Sequence, residues 1–251
     1  MEYINIGNIW IALIITIVLM LIHFTTARLC RVPFISEKIV ASFGGGLAVT
    51  YVFLHMLPEL VEGNEAIGKL LKHSLTLSPI IDLAIFLVAF IGFNVYYGFE
   101  VLARNVSKNN QSSLLVYRLH LAMFCFYNIL ITYTMPLRVQ VGLPFAAVFA
   151  IAMGMHLFLS DRTLHRHFSK HFNMNAHIML ISSLFIGWLI SAVTEPVNVF
   201  FSSLLIAFLS GAIIFNTFKE EIPPENESSY GGFIAGVGIM TVTLILLTVI
   251  K

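Results

Sequence analysis

The chain has 251 residues, of which 58% are apolar or aromatic and 11% charged, with a net charge of +1 and a mean hydropathy of +0.90. A soluble domain carries about 25% charged residues, so an ordinary water-facing surface is excluded, and the near-zero net charge excludes the basic footprint of a nucleic-acid binder. At ~20 residues per crossing, eight membrane spans consume most of the chain and leave no length for a separate soluble catalytic domain.

The first apolar segment, 6–27, follows MEYINIGN, which has no basic n-region, and ends at His23-Phe24 rather than at a small-x-small site, so it is read as a retained helix. The second, 38–60, opens on Ser42 and Gly44-Gly45-Gly46 and closes on His55-Met56-Leu57-Pro58-Glu59. The third, 79–103, opens at Asp82 and closes at Glu100. The fourth, 114–135, carries His120 and Asn128, and the fifth, 143–161, carries His156 and Asp161. The sixth and seventh cover 176–194 and 197–218, and the eighth, 231–250, opens on Gly231, Gly232, Gly236 and Gly238. The expected architecture is an all-α polytopic membrane helix bundle, a single transmembrane domain over 1–251. Cys30 and Cys125 sit at or inside apolar segments, so no disulfide framework is implied.

Lysine and arginine set the expected orientation. The loops after helices one, three, five and seven hold Arg28, Arg31, Lys38, Arg104, Lys108, Arg118, Arg162, Arg166, Lys170 and Lys219, whereas Lys69, Lys72, Arg138 and Lys251 fall on the opposite side. Both termini are therefore expected outside, in a plasma or bacterial inner membrane. The Asn-x-Ser matches at Asn105, Asn110 and Asn226 then lie inside and need not be glycosylation acceptors.

Ser42 to Leu60, SFGGGLAVTYVFLHMLPEL, aligns without a gap on Ala207 to Glu225, AFLSGAIIFNTFKEEIPPE. Phe43 meets Phe208, Gly46 meets Gly211, Phe53 meets Phe218 and Pro58 meets Pro223. In each copy a polar residue, His55 or Glu220, stands three positions before a helix-ending proline. Helices two and seven run oppositely through the bilayer, so the pattern predicts an inverted repeat, which in transporters places a site at the midplane between the halves. The bland alternative is that membrane helices with glycine early and proline late resemble one another.

These residues resemble the ZIP (Zrt/Irt-like) family of divalent-metal transporters. Gly44-Gly45-Gly46 leading to His55-Met56-Leu57-Pro58-Glu59 is similar to that family's second helix, and Gly211 to Pro223 is similar to the end of its seventh. The resemblance implies eight helices arranged as three, two and three, a first repeat over 1–103, a central pair over 114–161, and a second repeat over 176–251. It implies inward alternating-access transport of Zn or Fe, with the cation as substrate, and a metal site on helices four and five. The chain departs from the family pattern there. If His120 is the family histidine, the next ligand positions hold Leu121 and Phe124; in the other register, Phe124 and Asn128 stand at the ligand positions. In the fifth helix His156 and Asp161 match, but Leu157 and Leu159 replace a glutamate and a proline. The donors left are His156, Asp161, and His120 or Asn128, which is too few for a binuclear site.

An ionisable group inside a span is a functional candidate by default, so His156 is either a pore or metal residue or a hydrogen-bonded core histidine. Asp161 belongs to the same path or marks the inner helix end. His55 and Glu59, one turn apart, are candidates for a cation-collecting outer mouth, helped by Glu62 and Glu65, or form a plain amphipathic exit turn. The run Asp161 to His167, with His171 and His177, reads as a basic extension along anionic lipid. Gly232-x-x-x-Gly236 serves packing within the chain or a homodimer face. Without Gly-x-Ser-x-Gly, His-Glu-x-x-His or Gly-x-x-x-x-Gly-Lys-Ser/Thr, no enzyme is expected. Two functions remain: a ZIP-like transporter of divalent cations, or a ZIP-fold protein that has lost transport and acts as a binding or accessory protein.

Overall fold

The computed structural model describes residues 6–29, 36–71, 83–108, 113–169, 171–194 and 199–250. Cys30, Arg31, Lys72, Asp82, Asn110, Lys170 and Lys251 lie outside the described residues. Among those described there is no β-strand. We label the α-helices α1 (Ile6–Leu29), α2 (Glu37–Tyr51), α3 (Leu57–Leu71), α4 (Ala84–Lys108), α5 (Ser113–Tyr133), α6 (Met135–Val141), α7 (Leu143–His167), α8 (Met174–Thr194), α9 (Val199–Asn216) and α10 (Tyr230–Ile250).

Among the described residues, eight segments are long and apolar enough to cross a membrane: Ile6–Thr26, Glu37–Glu65, Ala84–Asn105, Leu114–Val141, Leu143–Arg166, Met174–Thr194, Phe200–Glu221 and Tyr230–Leu247. With its backbone polar groups satisfied inside helices, the chain is a multi-pass helical membrane protein. The second, fifth and seventh spans are each 56% buried, against 22% for the third and eighth, so the former build the centre and the latter face lipid. Trp10, Ile14, Phe90, Ile91 and Leu246 are outward-facing apolar side chains of the kind a bilayer solvates.

Two of the spans that run past their expected ends do so through a proline. Pro58 does not terminate the second: after the five-residue π turn Val52–Met56 the Leu57 N–H bonds five residues back to the Val52 carbonyl, Leu57 stays helical, and the chain goes on as α3. A proline deletes one i→i−4 bond and crowds a carbonyl, and the widened turn absorbs both effects. The matching expectation at Pro223 holds: a second π turn, Thr217–Glu221, closes with the Ile222 N–H on the Thr217 carbonyl, and Ile222 turns extended. The fourth span passes a kink at Thr134, whose hydroxyl bonds back to the Leu130 carbonyl at 3.0 Å, and resumes as α6, where Pro136 occupies a first-turn position that needs no donor.

Two helix pairs interlock through glycine. A Cβ on Gly46 would strike the Phe233 carbonyl, and one on Gly236 would strike the Phe43 carbonyl, fastening α2 to α10. Likewise a Cβ on Gly211 would strike the Ala89 carbonyl, and one on Gly92 the Phe208 carbonyl, fastening α9 to α4. Gly236 is thus spent on packing inside the chain, and Gly232 rests on Ile39. At one end of the bundle Arg162 reaches Glu37 at 2.7 Å, Arg166 clamps Glu227 through two nitrogens at 2.6 and 2.7 Å, and Lys38 bonds the Asn226 carbonyl. The Arg166 hydrogen bond holds the Glu227 carboxyl below the usual carboxylate range. At the opposite end, Arg138 on α6 meets Glu59 on α3.

Candidate functional site

The deepest polar residues gather around α7. His156 is 1% exposed, and its Nδ1 lies 2.6 Å from Glu221 Oε1. The Thr217 hydroxyl donates to the same oxygen at 3.2 Å, and Ser160 Oγ lies 3.4 Å from His156 Nε2. Glu221 closes the π turn of the seventh span, so that widened turn is what delivers its carboxylate to α7. A second pair sits five residues further along α7, where His23 Nδ1 of α1 is 2.8 Å from Asp161 Oδ2. Asn128 Nδ2 of α5 lies 3.2 Å from His23 Nε2 and donates to the Leu180 carbonyl of α8. His177 Nδ1 stands 3.8 Å from the same Asp161 oxygen.

In each pair an imidazole donating from Nδ1 to the carboxylate leaves Nε2 to accept, from Ser160 in one case and Asn128 in the other. Removing charges from water costs several kcal/mol per ion, and pairing offsets it. The offset is incomplete here, since Asp161 Oδ1, Glu221 Oε2, Asn128 Oδ1 and both amide atoms of Asn216 are buried with no hydrogen-bond partner among the described residues. Buried oxygens turned away from other protein groups are acceptors available to a proton, a water or a cation.

One face of α7 continues from this cluster toward the other end of the bundle. The Tyr127 ring covers His156 at 4.8 Å, and its hydroxyl meets Met153 Sδ at 3.7 Å. Beyond them the Tyr51 ring lies 6.2 Å from Phe149, and His55 stacks on Phe145 at 6.0 Å. The Arg138 guanidinium sits 3.9 Å over Phe149, and its Nη1 reaches both Glu59 oxygens at 3.0 Å.

His156, Asp161 and Asn128 are therefore part of one buried polar region. His120 is not: its Nδ1 bonds the Val116 carbonyl at 2.9 Å, and its Nε2 lies 3.4 Å from Glu100 Oε2, which also receives Lys219 Nζ at 2.8 Å, while Lys219 further pairs with Glu220. His55 and Glu59 do share one end of the bundle, but Glu59 is held by Arg138. Asp161 is not at a helix end, because α7 runs on to His167. Among the described residues no three His, Cys, Asp or Glu are grouped so as to hold a metal ion.

The sequence reading passed over His23, Glu221, Thr217 and Arg138. His23 carried a usable signal, an ionisable side chain inside an apolar span, whereas Glu221 stood beyond the expected end of the seventh; the partnership of His23 with Asp161, 138 residues apart, has no local signature. Neither a scan of protein-family models nor a search among curated proteins returned a match to this chain.

Proposed function

We propose that the chain is a ZIP-like membrane transporter of cations, of the Zn or Fe class, working by alternating access between two oppositely oriented three-helix repeats around the central pair α5 and α7. The observation that carries this reading is the buried region of His156, Asp161 and Asn128 with His23 and Glu221, with unpaired oxygens on three of its members and side chains drawn from α1, α5, α7 and the π turn after α9. Intramembrane carboxylates and histidines on facing helices are how membrane transporters build ion paths.

The repeat is supported by three coincidences under the one gapless alignment. Val52–Met56 and Thr217–Glu221, the two π turns, are aligned residue for residue. Gly46 and Gly211, aligned mates, each fit against the backbone of the third helix of the other triplet. Phe53 and Phe218, also mates, touch edge to face at 6.2 Å, as residues beside a two-fold axis do. The basic residues Lys38, Arg162 and Arg166, gathered at one end, favour that end as the inner one and both termini outside.

A second reading is favoured by a specific observation. Both carboxylates are already engaged by histidines, and no metal-holding triad exists among the described residues, which suits a ZIP-fold protein that binds or assists without carrying metal. The two part on one experiment. Purified chain in liposomes is expected to carry Zn or Fe, and His156→Ala with Asp161→Ala is expected to abolish the flux. Absence of flux for any divalent metal by folded protein leaves the second reading standing.

A further inference from the structure

The polar region ends, toward Glu59, in a buried cation with a fixed position. Arg138 is 4% exposed. It lies on the short helix α6 beyond the Thr134 kink, its Nη1 on Glu59 and its guanidinium flat against Phe149. Its Nε and Nη2 have no hydrogen-bond partner among the described residues, nor does the buried Tyr51 hydroxyl nearby. An arginine on carboxylate is strongest as a two-nitrogen fork. Here one nitrogen serves both oxygens and two donors go unused, so the pair is held with less than its available strength.

The position matters as much as the bonding. Phe149 precedes His156 by seven residues on the same face of α7, about 10 Å of helix at 1.5 Å per residue. Tyr51, Phe149 and Tyr127 fill that interval with aromatic rings. A cation approaching from this end meets a carboxylate that already has one, and beneath it an aromatic plug pinned by the same guanidinium.

We propose that Arg138 is a tethered cation that occupies Glu59 and closes this end of the path, so that access to His156 requires Arg138 to leave Glu59 and an incoming cation competes with it for the carboxylate. The closure is weak by construction: one nitrogen of the fork carries the pairing, and Arg138 stands on a seven-residue helix beyond the Thr134 kink. Arg138 is a positioning residue that decides when the interior is reached from this side. The inference rests on the transporter reading for its purpose, but its geometry is tested without any flux.

The test places a single cysteine at Ala152, one turn beyond Phe149 toward His156, in a chain with Cys30 and Cys125 replaced by serine, and follows its reaction in liposomes with a membrane-impermeant thiol reagent. From the Glu59 side the otherwise unaltered chain is expected to react slowly, and Arg138→Gln about tenfold faster, the shift that loss of ~1.4 kcal/mol from the closed state gives. Arg138→Lys, which keeps the charge, and the exchanged pair Glu59→Arg with Arg138→Glu, which keeps the attraction, are expected to stay slow, with folding of each variant checked by size exclusion. Manganese ion added on the Glu59 side is expected to speed reaction in the chain with Arg138 and Glu59 intact, and to have no effect in Glu59→Gln. Equal rates with and without Arg138, or acceleration from both sides alike, would overturn the proposal. A fast Arg138→Gln in a chain that carries no metal would keep the gate and discard the transport reading.

Discussion

His23 and Asp161 are each 1% exposed and hold one another across the bundle, so each is stable in its place because of the other. Removing one member of a buried pair costs about 3–5 kcal/mol, whereas replacing both by apolar groups of similar volume is often neutral or stabilising. His23→Leu alone is therefore expected to lower unfolding stability in detergent by that amount, and Asp161→Leu on top of it to recover most of the loss. A double-mutant cycle read by denaturant titration checks this; additive losses would mean that the pair does not interact. Asn128→Leu should cost less, about 1–3 kcal/mol, the penalty for a buried acceptor, here His23 Nε2, losing its donor, while the Leu180 carbonyl keeps the Ser183 hydroxyl. Legibility at this scale was partial. His156, Asp161 and Asn128 lie together, but His120 is drawn to Glu100 and Lys219 instead, because it stands seven residues, about 10 Å of helix, from Tyr127, the α5 residue that covers His156.

At the scale of the element, the helix boundaries were set less by composition than by how each proline is accommodated. Pro58, Pro136 and Pro223 look alike as letters, yet the chain continues through the first, restarts at the second and stops at the third. What distinguishes the first from the third, both preceded by a π turn, is the residue before the proline, helical at Leu57 and extended at Ile222, and neither conformation leaves a mark in hydropathy. The glycine contacts were more readable, since small residues near the start of α2 and α10 signal close backbone approach, and that is their use. Gly211→Ala is expected to separate α9 from α4 and reduce the folded yield sharply, by fluorescence-detected size exclusion. Gly238→Ala, where the new methyl meets nothing within 4 Å, is the control and should be neutral or slightly stabilising.

At the scale of the molecule, the count of spans came straight from apolar length: eight were expected, and eight segments among the described residues are long and apolar enough. Length and hydropathy suffice because a bilayer imposes one dimension on every crossing. The assignment of central and peripheral spans was not legible in that way, because a helix apolar on all sides gives no face to read. Orientation is checked by a short epitope at either terminus of the chain in cells: both are expected to be reached by antibody without permeabilisation, and protection of both would reverse the inside and outside of the scheme.

A π turn is a helix holding one residue more than its neighbours need, and in this chain that surplus has a rotational meaning. One residue of α-helix is about 100° of turn, so the surplus at Thr217–Glu221 sets the direction in which everything after Asn216 points. Deleting one residue from the plain α-helix upstream, within α9, would swing the Glu221 carboxylate about a quarter-turn off His156, leaving every functional side chain of the cluster present in the sequence. Residue identity and residue count are thus separate determinants of the site, and an alignment that scores only the first would pass a chain in which the histidine has lost its acid.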